Sequence, residues 1–219
     1  MANRSVLNGQ IEERLSRTPI VPLVQSDDPD VAVCITEALV KGGLTVVEVV
    51  LRTEKALQCL TAIRKACPAA IVGAGTVLSG QQALAALDAG AAFLVSPGLE
   101  EAVITVANTH KVPVFPGVAT ATEAQRAWNL GLRSVKVFPA AIAGGPAMLK
   151  ALGSVFREMK FMPTGGVSAE NLAEYLAVPS VFACGGSWLT PADTIASGNF
   201  EEITELAREA VRLAGIARG

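Results

Sequence analysis

The sequence has few of the residues that bind metal ions. Its single histidine is His110, and none of its four cysteines stands in a CxxC pair. A structural zinc site needs four histidine or cysteine ligands at characteristic spacings, and the sequence does not supply them. The cysteines are therefore expected to be reduced and to pack as small hydrophobic residues. They are Cys34, Cys59, Cys67 and Cys184.

Long runs of one kind of residue are also missing. No run of lysine or arginine occurs and the net charge is −2, which disfavours nucleic acid or an anionic membrane as a partner. The N-terminus, MANRSVLNGQIEERLSRT, lacks the apolar stretch of a secretory signal. Apolar windows such as LTVVEVVL are too short to cross a bilayer. We therefore expect a cytoplasmic protein.

A glycine-rich dinucleotide turn is absent from the place where an open, doubly wound sheet would carry it. Such a sheet has G-x-G-x-x-G after its first strand, whereas the first strand here ends LVQSDDPD. The segment GAGTVLSG, residues 73–80, resembles that turn only loosely and follows the third strand. A dinucleotide-binding sheet is therefore the weaker hypothesis.

The chain alternates short apolar runs with alanine- and leucine-rich helical patterns. Apolar residues make up 51% of it and charged residues 17%, which indicates a large core. Short, almost continuously apolar runs are typical of parallel strands covered by helices. The eight predicted strands are Ile20–Val24, Leu44–Leu51, Ala70–Ala74, Ala92–Ser96, Val112–Pro116, Ser134–Phe138, Lys160–Thr164 and Ser180–Cys184.

Helical patterns separate these strands, and Asp28 before Pro29 is a typical helix start. Eight strand–helix units at regular spacing predict an α/β protein, a (β/α)8 TIM barrel with an additional N-terminal helix near residues 7–16. We expect one domain over residues 1–219, in which the helix within residues 1–18 packs on the barrel.

Two ionisable residues lie inside strand patterns. The segment SVKVFPA places Lys136 between Val135 and Val137. Side chains alternate along a strand, so Lys136 faces the barrel lumen if these valines face the helices, and Glu48 does so from the second strand. Two alternatives stay open: a buried salt bridge without a catalytic role, or an alternation displaced by one residue that turns both groups outward.

Burial of a lysine permits covalent chemistry. Desolvation disfavours an ammonium ion, and a neutral amine is the nucleophile that forms a Schiff base with a carbonyl group. The iminium accepts electrons, so a neighbouring carbon–carbon bond can break or form. Glu48 is the only carboxylate within a predicted strand, which makes it the natural general acid and base beside Lys136.

A substrate carboxylate needs a clamp of its own. Arg52 ends the second strand on the same side as Glu48 and supplies planar, bidentate donors. Thr76, after the third strand, could add a hydroxyl group. The alternative for Arg52 is a surface ion pair with Glu54 or Glu37.

Glycine pairs follow the last two predicted strands, in PTGGVS and CGGSW. Loops after strands seven and eight form the usual phosphate site of this barrel, because backbone N–H groups and a helix N-terminus meet there. Each pair could be only a tight turn, but two pairs at these two positions favour a phosphate site. Its predicted residues are Gly165, Gly166, Gly185, Gly186 and Ser187.

Six motifs, in order along essentially the whole chain, resemble the 2-keto-3-deoxy-6-phosphogluconate aldolase / 4-hydroxy-2-oxoglutarate aldolase family. They are EVVLRT at 48–53, VGAGTVL at 72–78, SPG at 96–98, KVFPA at 136–140, PTGGV at 163–167 and GGSWL at 185–189. The resemblance implies a class I aldolase without metal or cofactor, usually a homotrimer. It implies reversible cleavage of 2-keto-3-deoxy-6-phosphogluconate to pyruvate and glyceraldehyde 3-phosphate in the Entner–Doudoroff pathway. Many members also cleave 4-hydroxy-2-oxoglutarate to pyruvate and glyoxylate.

The resemblance also implies roles for individual residues. Lys136 matches the family's Schiff-base lysine, and Glu48 matches its proton-shuttling carboxylate. The other matches are Arg52 and Thr76 with the contacts of the pyruvate carboxylate, Pro97 and Phe138 with the pocket wall, and Gly165, Gly166 and Ser187 with the phosphate loop.

The chain departs from the family pattern at Val137, where many members have an aromatic residue, and at Ala141, where many have glutamate. Val137 faces the helices by alternation, so its change should matter little. Ala141 lies in the loop over the pocket, which leaves the preferred aldehyde open. Other open hypotheses are a 4-hydroxy-2-oxoglutarate or 2-keto-3-deoxy-6-phosphogalactonate aldolase, an isomerase or epimerase on the same barrel, and a non-catalytic sugar-phosphate binding barrel.

Overall fold

The computed structural model describes the backbone of residues 4–218 and the side chains of residues 9–218. Residues 1–3 and Gly219 of the predicted domain lie outside the described residues. The strands are β1 (Ile20–Val24), β2 (Val46–Val50), β3 (Ile71–Gly75), β4 (Leu94–Val95), β5 (Val114–Phe115), β6 (Gly117–Val118), β7 (Ser134–Val137), β8 (Lys160–Pro163) and β9 (Cys184–Gly186). The helices are α1 (Arg4–Arg17), α2 (Pro29–Lys41), α3 (Ala56–Ala66), α4 (Gly80–Asp88), α5 (Glu101–His110), α6 (Ala121–Asn129), α7 (Gly145–Val155), α8 (Leu172–Leu176), α9 (Ala192–Ala196) and α10 (Phe200–Arg218).

The strands pair in parallel and follow one another around a ring. One run has the order β5–β4–β3–β2–β1–β9, and the other has the order β6–β7–β8. β5 and β6 are halves of one barrel strand, interrupted at Pro116, which has no N–H to donate to a ladder. Bridges from Phe161 to Val181 and from Thr164 to Gly185 connect β8 with β9. The predicted TIM barrel is confirmed.

Helix caps fix the points at which the chain leaves the carboxyl ends of the strands. Asp28 Oδ1 accepts hydrogen bonds from the N–H groups of Asp30 and Val31, so the predicted start of α2 is confirmed. Ser79 and Thr120 cap α4 and α6 with their hydroxyl oxygens. These caps follow β1, β3 and β6, so they hold three loops at the mouth of the barrel, the end where the strands finish.

Strand side chains divide between two apolar clusters. Val47, Val135 and Val137 belong to the cluster that includes the helices. Phe93 and Phe115 belong to a second cluster, which fills the lumen with side chains from alternate strand positions. Their rings meet edge to face with centroids 5.9 Å apart. The barrel is thus a packed core below the level of the functional groups.

Helix α1 covers the end of the barrel opposite the mouth. Ile11 and Leu15 belong to the lumen cluster and are almost completely buried. Burial of an aliphatic side chain of this size contributes about 1.5–3 kcal/mol. Arg14 Nη1 donates hydrogen bonds to the carbonyl oxygens of Thr45 and Ala69, which lie just before β2 and β3. The additional N-terminal helix therefore closes the bottom of the lumen.

The last barrel strand begins later than predicted. Its ladder covers Cys184–Gly186 rather than Ser180–Cys184. The placement of Gly185 and Gly186 in a turn after this strand is therefore wrong, because both are buried within β9. A Cβ at Gly185 would lie 2.9 Å from Thr164 Cγ2, so this glycine lets β9 approach the end of β8 closely.

The cysteines, the candidate metal ligands and the apolar helices can be located within the described residues. All four cysteines are free, and burial raises the pKa of the Cys184 thiol to about 12. Between residues 9 and 218 no group of three or more His, Cys, Asp or Glu side chains could hold a metal ion. In the described part of the chain, no helix has both the length and the apolar character needed to span a membrane.

Candidate active site

Lys136 and Glu48 meet inside the lumen. Lys136 extends from β7 and is 4% exposed, Glu48 extends from β2 and is fully buried, and Lys136 Nζ lies 3.6 Å from Glu48 Oε1. Val135 and Val137 pack on the opposite face of β7, toward the helices. The predicted alternation is therefore confirmed, and the alternative that turned both ionisable groups outward is wrong.

The carboxylate of Glu48 is buried without hydrogen bonds to the described part of the chain. Neither of its oxygens has a hydrogen-bond partner within the described residues, and both are buried. Burial of a carboxylate without hydrogen bonds costs free energy, and such groups concentrate at functional sites. A salt bridge that served only stability would have its oxygens satisfied, so this geometry favours a chemical role for the pair.

Strand β3 provides the space that Glu48 occupies. A Cβ at Gly75 would overlap Glu48 Oε1 and lie 2.5 Å from Glu48 Cδ. One layer lower, Gly73 pairs with Glu48 in the ladder, and a Cβ there would overlap the Phe93 ring. Gly75 was not among the predicted site residues. A glycine inside a strand pattern does indicate close approach, but the approaching group is visible only in three dimensions.

Phe138 connects the buried pair with the mouth of the barrel. The centroid of its ring lies 5.3 Å from Lys136 Nζ. On the other side, a Cβ at Gly165 would lie 3.3 Å from Phe138 Cε2, so the turn after β8 packs on this ring. Pro97 is half-buried after β4, and its carbonyl group contacts Gly117, the ladder neighbour of Lys136. Phe138 therefore directly follows β7, the lysine strand, and Pro97 adjoins β6, the strand paired with it.

Arg52 and Thr76 form a polar pair at the mouth. Arg52 Nε donates a hydrogen bond to Thr76 Oγ1 at 3.1 Å. Of the ion pairs formed by described side chains, none joins Arg52 to Glu37 or Glu54, so the surface-pair alternative is wrong. Thr76 has a φ of 57°, a left-handed conformation that costs a β-branched residue about 1–3 kcal/mol and is typical of functional sites.

The turn after β8 lies beside the end of β9. Gly165 and Gly166 have φ of 90° and 81°, which glycine adopts without steric cost. Ser187 follows β9 directly and is exposed, and the bridge from Thr164 to Gly185 brings the two segments together. Gly165, Gly166 and Ser187 thus lie at the ends of neighbouring strands. Gly185 and Gly186 are buried within β9.

Thr164 was missed by the sequence analysis. It directly follows β8, two residues after the lumen residue Met162, and it is 3% exposed. Its hydroxyl group donates a 3.5 Å hydrogen bond to the Met162 carbonyl group. The sequence feature that could have indicated Thr164 is a hydroxyl residue at the carboxyl end of a predicted strand, two positions after a lumen side chain.

One acidic residue lies near the glycine turn. Glu170 is exposed, and its carboxylate accepts a hydrogen bond from the Ser168 hydroxyl group. That hydrogen bond holds the pKa of Glu170 below its ordinary value. The loop after the turn is therefore negatively charged at neutral pH.

The chain is similar to known proteins along most of its length. Residues 11–206 match the family model described as KDPG and KHG aldolase. The KHG/KDPG aldolase of Escherichia coli (strain K12) is 45% identical over 200 residues, which cover 91% of this chain and 94% of that protein.

Two solved structures are also similar. The 2-keto-3-deoxy-6-phosphogluconate aldolase of Zymomonas mobilis ZM4, solved with 3-phosphoglycerate, has a TM-score of 0.84 and 42% identity, covering 91% of this chain and 94% of that one. The KDPG aldolase of Legionella pneumophila, solved with pyruvate captured at low pH as a covalent carbinolamine intermediate, has a TM-score of 0.86 and 38% identity, covering 90% and 96%. Both similarities extend over nearly the full length of each chain.

Proposed function

Since the chain belongs to the KDPG and KHG aldolase family, we propose that it reversibly cleaves 2-keto-3-deoxy-6-phosphogluconate to pyruvate and glyceraldehyde 3-phosphate through a Schiff base on Lys136. The observation that carries the residue assignment is the buried pair, in which Lys136 Nζ lies 3.6 Å from Glu48 Oε1. An enclosed amine beside an unsatisfied carboxylate is suited to nucleophilic catalysis with proton transfer.

The reaction begins when Lys136 Nζ attacks the C2 ketone of the substrate. The carbinolamine loses water and becomes an iminium ion, with Glu48 moving the protons that this step requires. Glu48 then takes the proton of the C4 hydroxyl group. The C3–C4 bond breaks, its electron pair moves into the iminium, and the aldehyde leaves. The remaining enamine takes a proton at C3, and water hydrolyses the product from Lys136 as pyruvate.

Groups at the mouth orient the substrate for this chemistry. Arg52 and Thr76 bind the carboxylate of the pyruvate half, with the planar donors of the guanidinium group aimed at the carboxylate oxygens. Gly165, Gly166 and Ser187 bind the phosphate of the aldehyde half through backbone N–H groups and a hydroxyl group. Phe138 packs between the two regions, and Pro97 adjoins β6, the strand paired with the lysine strand.

A second substrate, 4-hydroxy-2-oxoglutarate, fits the same centre. Lys136, Glu48, Arg52 and Thr76 all act on the pyruvate half, which this substrate shares with the phosphorylated one. Its cleavage gives pyruvate and glyoxylate and uses no phosphate contact. We propose it as the slower reaction, because the groups at the glycine turn contribute nothing to its binding.

A substrate panel tests the proposed function. Pyruvate release is measured with a coupled dehydrogenase for 2-keto-3-deoxy-6-phosphogluconate, its galactonate epimer and 4-hydroxy-2-oxoglutarate. We expect the first to have the highest kcat/KM and Lys136→Ala to abolish release from all three. Lys150→Ala, which removes an exposed lysine of α7, serves as the matched control and should leave all rates unchanged.

The rival functions give different results in this panel. A non-catalytic binding barrel would release no pyruvate from any substrate. An isomerase or epimerase would convert a sugar phosphate without pyruvate release and without loss of activity in Lys136→Ala. If the galactonate epimer or the unphosphorylated substrate has the highest kcat/KM, the proposed main substrate is wrong, but the proposed Schiff-base chemistry stands.

We also propose that the chain assembles as a homotrimer, as the family resemblance implies. Sedimentation equilibrium of the purified protein should give three times the chain mass, and a monomeric mass would contradict the proposal. A cytoplasmic location stays a prediction, to be checked by fractionation of cells that express the chain.

A further inference from the structure

The turn after β8 presents consecutive backbone donors. The N–H groups of Gly166 and Val167 donate to no acceptor within the described residues, whereas the parallel bridge between Thr164 and Gly185 directs the N–H of Gly165 toward the Gly185 carbonyl group. Gly165 and Gly166 both have positive φ, a conformation in which successive N–H groups can converge on one point. Concave sets of backbone N–H groups of this kind bind anions. Their direction therefore decides how well this turn can bind a phosphate.

Carbonyl contacts fix that direction. In a trans peptide unit the C=O group of one residue and the N–H group of the next point to opposite sides. Ala140 donates its N–H to the carbonyl oxygen of Thr164 at 2.8 Å, and Ala141 donates to that of Gly165 at 3.0 Å. The loop after β7 thus holds the first two peptide units of the turn, and their N–H groups face away from it.

A side chain holds the third peptide unit. Asn171 Nδ2 donates to the carbonyl oxygen of Gly166 at 2.8 Å, and Asn171 Oδ1 accepts from the N–H of Ser168 at 2.9 Å. A backbone N–H can only donate, so the oxygen of the amide must face Ser168 and the NH2 group must face Gly166. Asn171 therefore fixes the peptide unit that carries the N–H of Val167.

We propose that Asn171 is a positioning residue, which orients the N–H donors of this turn and thereby gives the enzyme its preference for phosphorylated over unphosphorylated substrates. This inference rests on the proposed function, in which the turn binds the substrate phosphate. Asn171 acts through Gly166 and does not itself contact the substrate. Lys136 and Glu48 act on the other half of the substrate, so the chemical step is independent of Asn171.

Two substitutions test the proposal. Asn171→Ala removes both hydrogen bonds, whereas Asn171→Asp keeps the acceptor for Ser168 and loses the donor to Gly166. We expect either variant to raise KM for 2-keto-3-deoxy-6-phosphogluconate about tenfold or more, because one oriented hydrogen bond is worth about that factor. For 4-hydroxy-2-oxoglutarate, we expect kcat/KM to change less than about twofold, as for a site that makes no contact there.

A matched control separates positioning from folding. Asn199 makes a similar local motif before α10, accepting from the N–H of Glu202 and donating to its carboxylate. It lies beside the end of α2 remote from the mouth, since Lys41 at that end pairs with Glu201. Asn199→Ala should leave the ratio of the two kcat/KM values unchanged. Thermal unfolding of each variant checks that the fold is intact.

Inhibition by inorganic phosphate distinguishes an error in the role of Asn171 from an error in the proposed function. Inhibition of the wild type, weakened about tenfold in Asn171→Ala, supports the proposal. Wild-type inhibition that persists unchanged in Asn171→Ala overturns the role of Asn171 and leaves the proposed function standing. Equal losses for both substrates also overturn it, since they indicate a general structural role. If the wild type neither prefers the phosphorylated substrate nor is inhibited by phosphate, the assignment of this turn as the phosphate site is wrong as well.

Discussion

The lumen centre of this barrel uses side-chain groups, whereas the glycine turn at its mouth uses backbone groups. The centre consists of two side chains, Lys136 and Glu48, held at fixed strand positions by the register of the sheet and by apolar walls. The turn after β8, at the mouth, presents backbone N–H groups; Gly166 is exposed, Gly165 is half-buried and Val167 is buried. Hydrogen bonds from the loop after β7 and from Asn171 hold this turn. One region is specified by side-chain chemistry and burial, and the other by backbone conformation.

The difference corresponds to the two halves of the substrate. The pyruvate half is common to all proposed substrates and meets the centre together with Arg52 and Thr76. The aldehyde half differs between substrates and meets the mouth. Changes at the centre should therefore affect every substrate through kcat, whereas changes at the turn after β8 should affect KM for phosphorylated substrates alone.

Gly75→Ala should break the centre and give the largest effect. The added methyl group would overlap Glu48 Oε1 and must displace the carboxylate. General acid–base groups contribute factors of about 100 to 10,000, so we expect kcat to fall at least about 100-fold for phosphorylated and unphosphorylated substrates alike. Steady-state kinetics on both substrates measure the effect.

A neighbouring glycine supplies the control for this change. Gly73→Ala crowds the lumen against Phe93 rather than Glu48. Its main effect should therefore be a lower unfolding temperature, with only a minor loss of kcat. Combining Gly75→Ala with Glu48→Asp should cost little beyond Glu48→Asp alone, because the shorter side chain avoids the methyl group. Strict additivity of the two changes would show that Gly75 does not act through Glu48.

Thr76→Val sharpens the comparison at the carboxylate end. Valine keeps the branched shape and the backbone conformation but cannot accept the hydrogen bond from Arg52 Nε. We expect KM to rise about tenfold for both substrates, with kcat changed less. Thr109→Val, at an exposed hydroxyl that donates to Thr105 on α5, is the control. An effect confined to the phosphorylated substrate would move Thr76 from the pyruvate half to the phosphate half.

Glu170→Gln should give the smallest effect and act only at the mouth. The Ser168 hydroxyl group keeps the pKa of Glu170 low, so its charge is present at neutral pH and is lost only as pH falls through the acid range. Removing this exposed like charge should lower KM for the phosphorylated substrate at most about twofold. The gain should disappear at high salt. Glu174→Gln, four residues further along the chain, is the control and should change this KM less. An equal fall in KM for 4-hydroxy-2-oxoglutarate in Glu170→Gln would contradict the explanation.

Much of the centre could be predicted from sequence because strand alternation is a local property. The valines around Lys136 determine which way the lysine faces, and the same rule places Glu48. The barrel followed from eight apolar runs separated by helical patterns, although Pro116 divides the fifth strand. The extent of the domain over residues 1–219 and the catalytic roles stay predictions.

The mouth was harder to predict because its contacts are not local. Gly185 and Gly186 look like a turn in the sequence, yet the ladder with β1 extends into them. At the centre, Gly75 was equally hard to predict, because the side chain that needs its space, Glu48, lies on another strand. Asn171 follows the glycine pair by only a few residues, but its two hydrogen bonds depend on a loop conformation that composition does not specify.

Reductive trapping tests the central claim, that Lys136 is the covalent catalyst, most directly. The protein is incubated with pyruvate and borohydride, digested, and its peptides are mapped by mass spectrometry. The account predicts one reduced adduct, a 1-carboxyethyl group on the peptide that contains Lys136, and none in Lys136→Ala. A label on any other lysine, or no label at all, would contradict it.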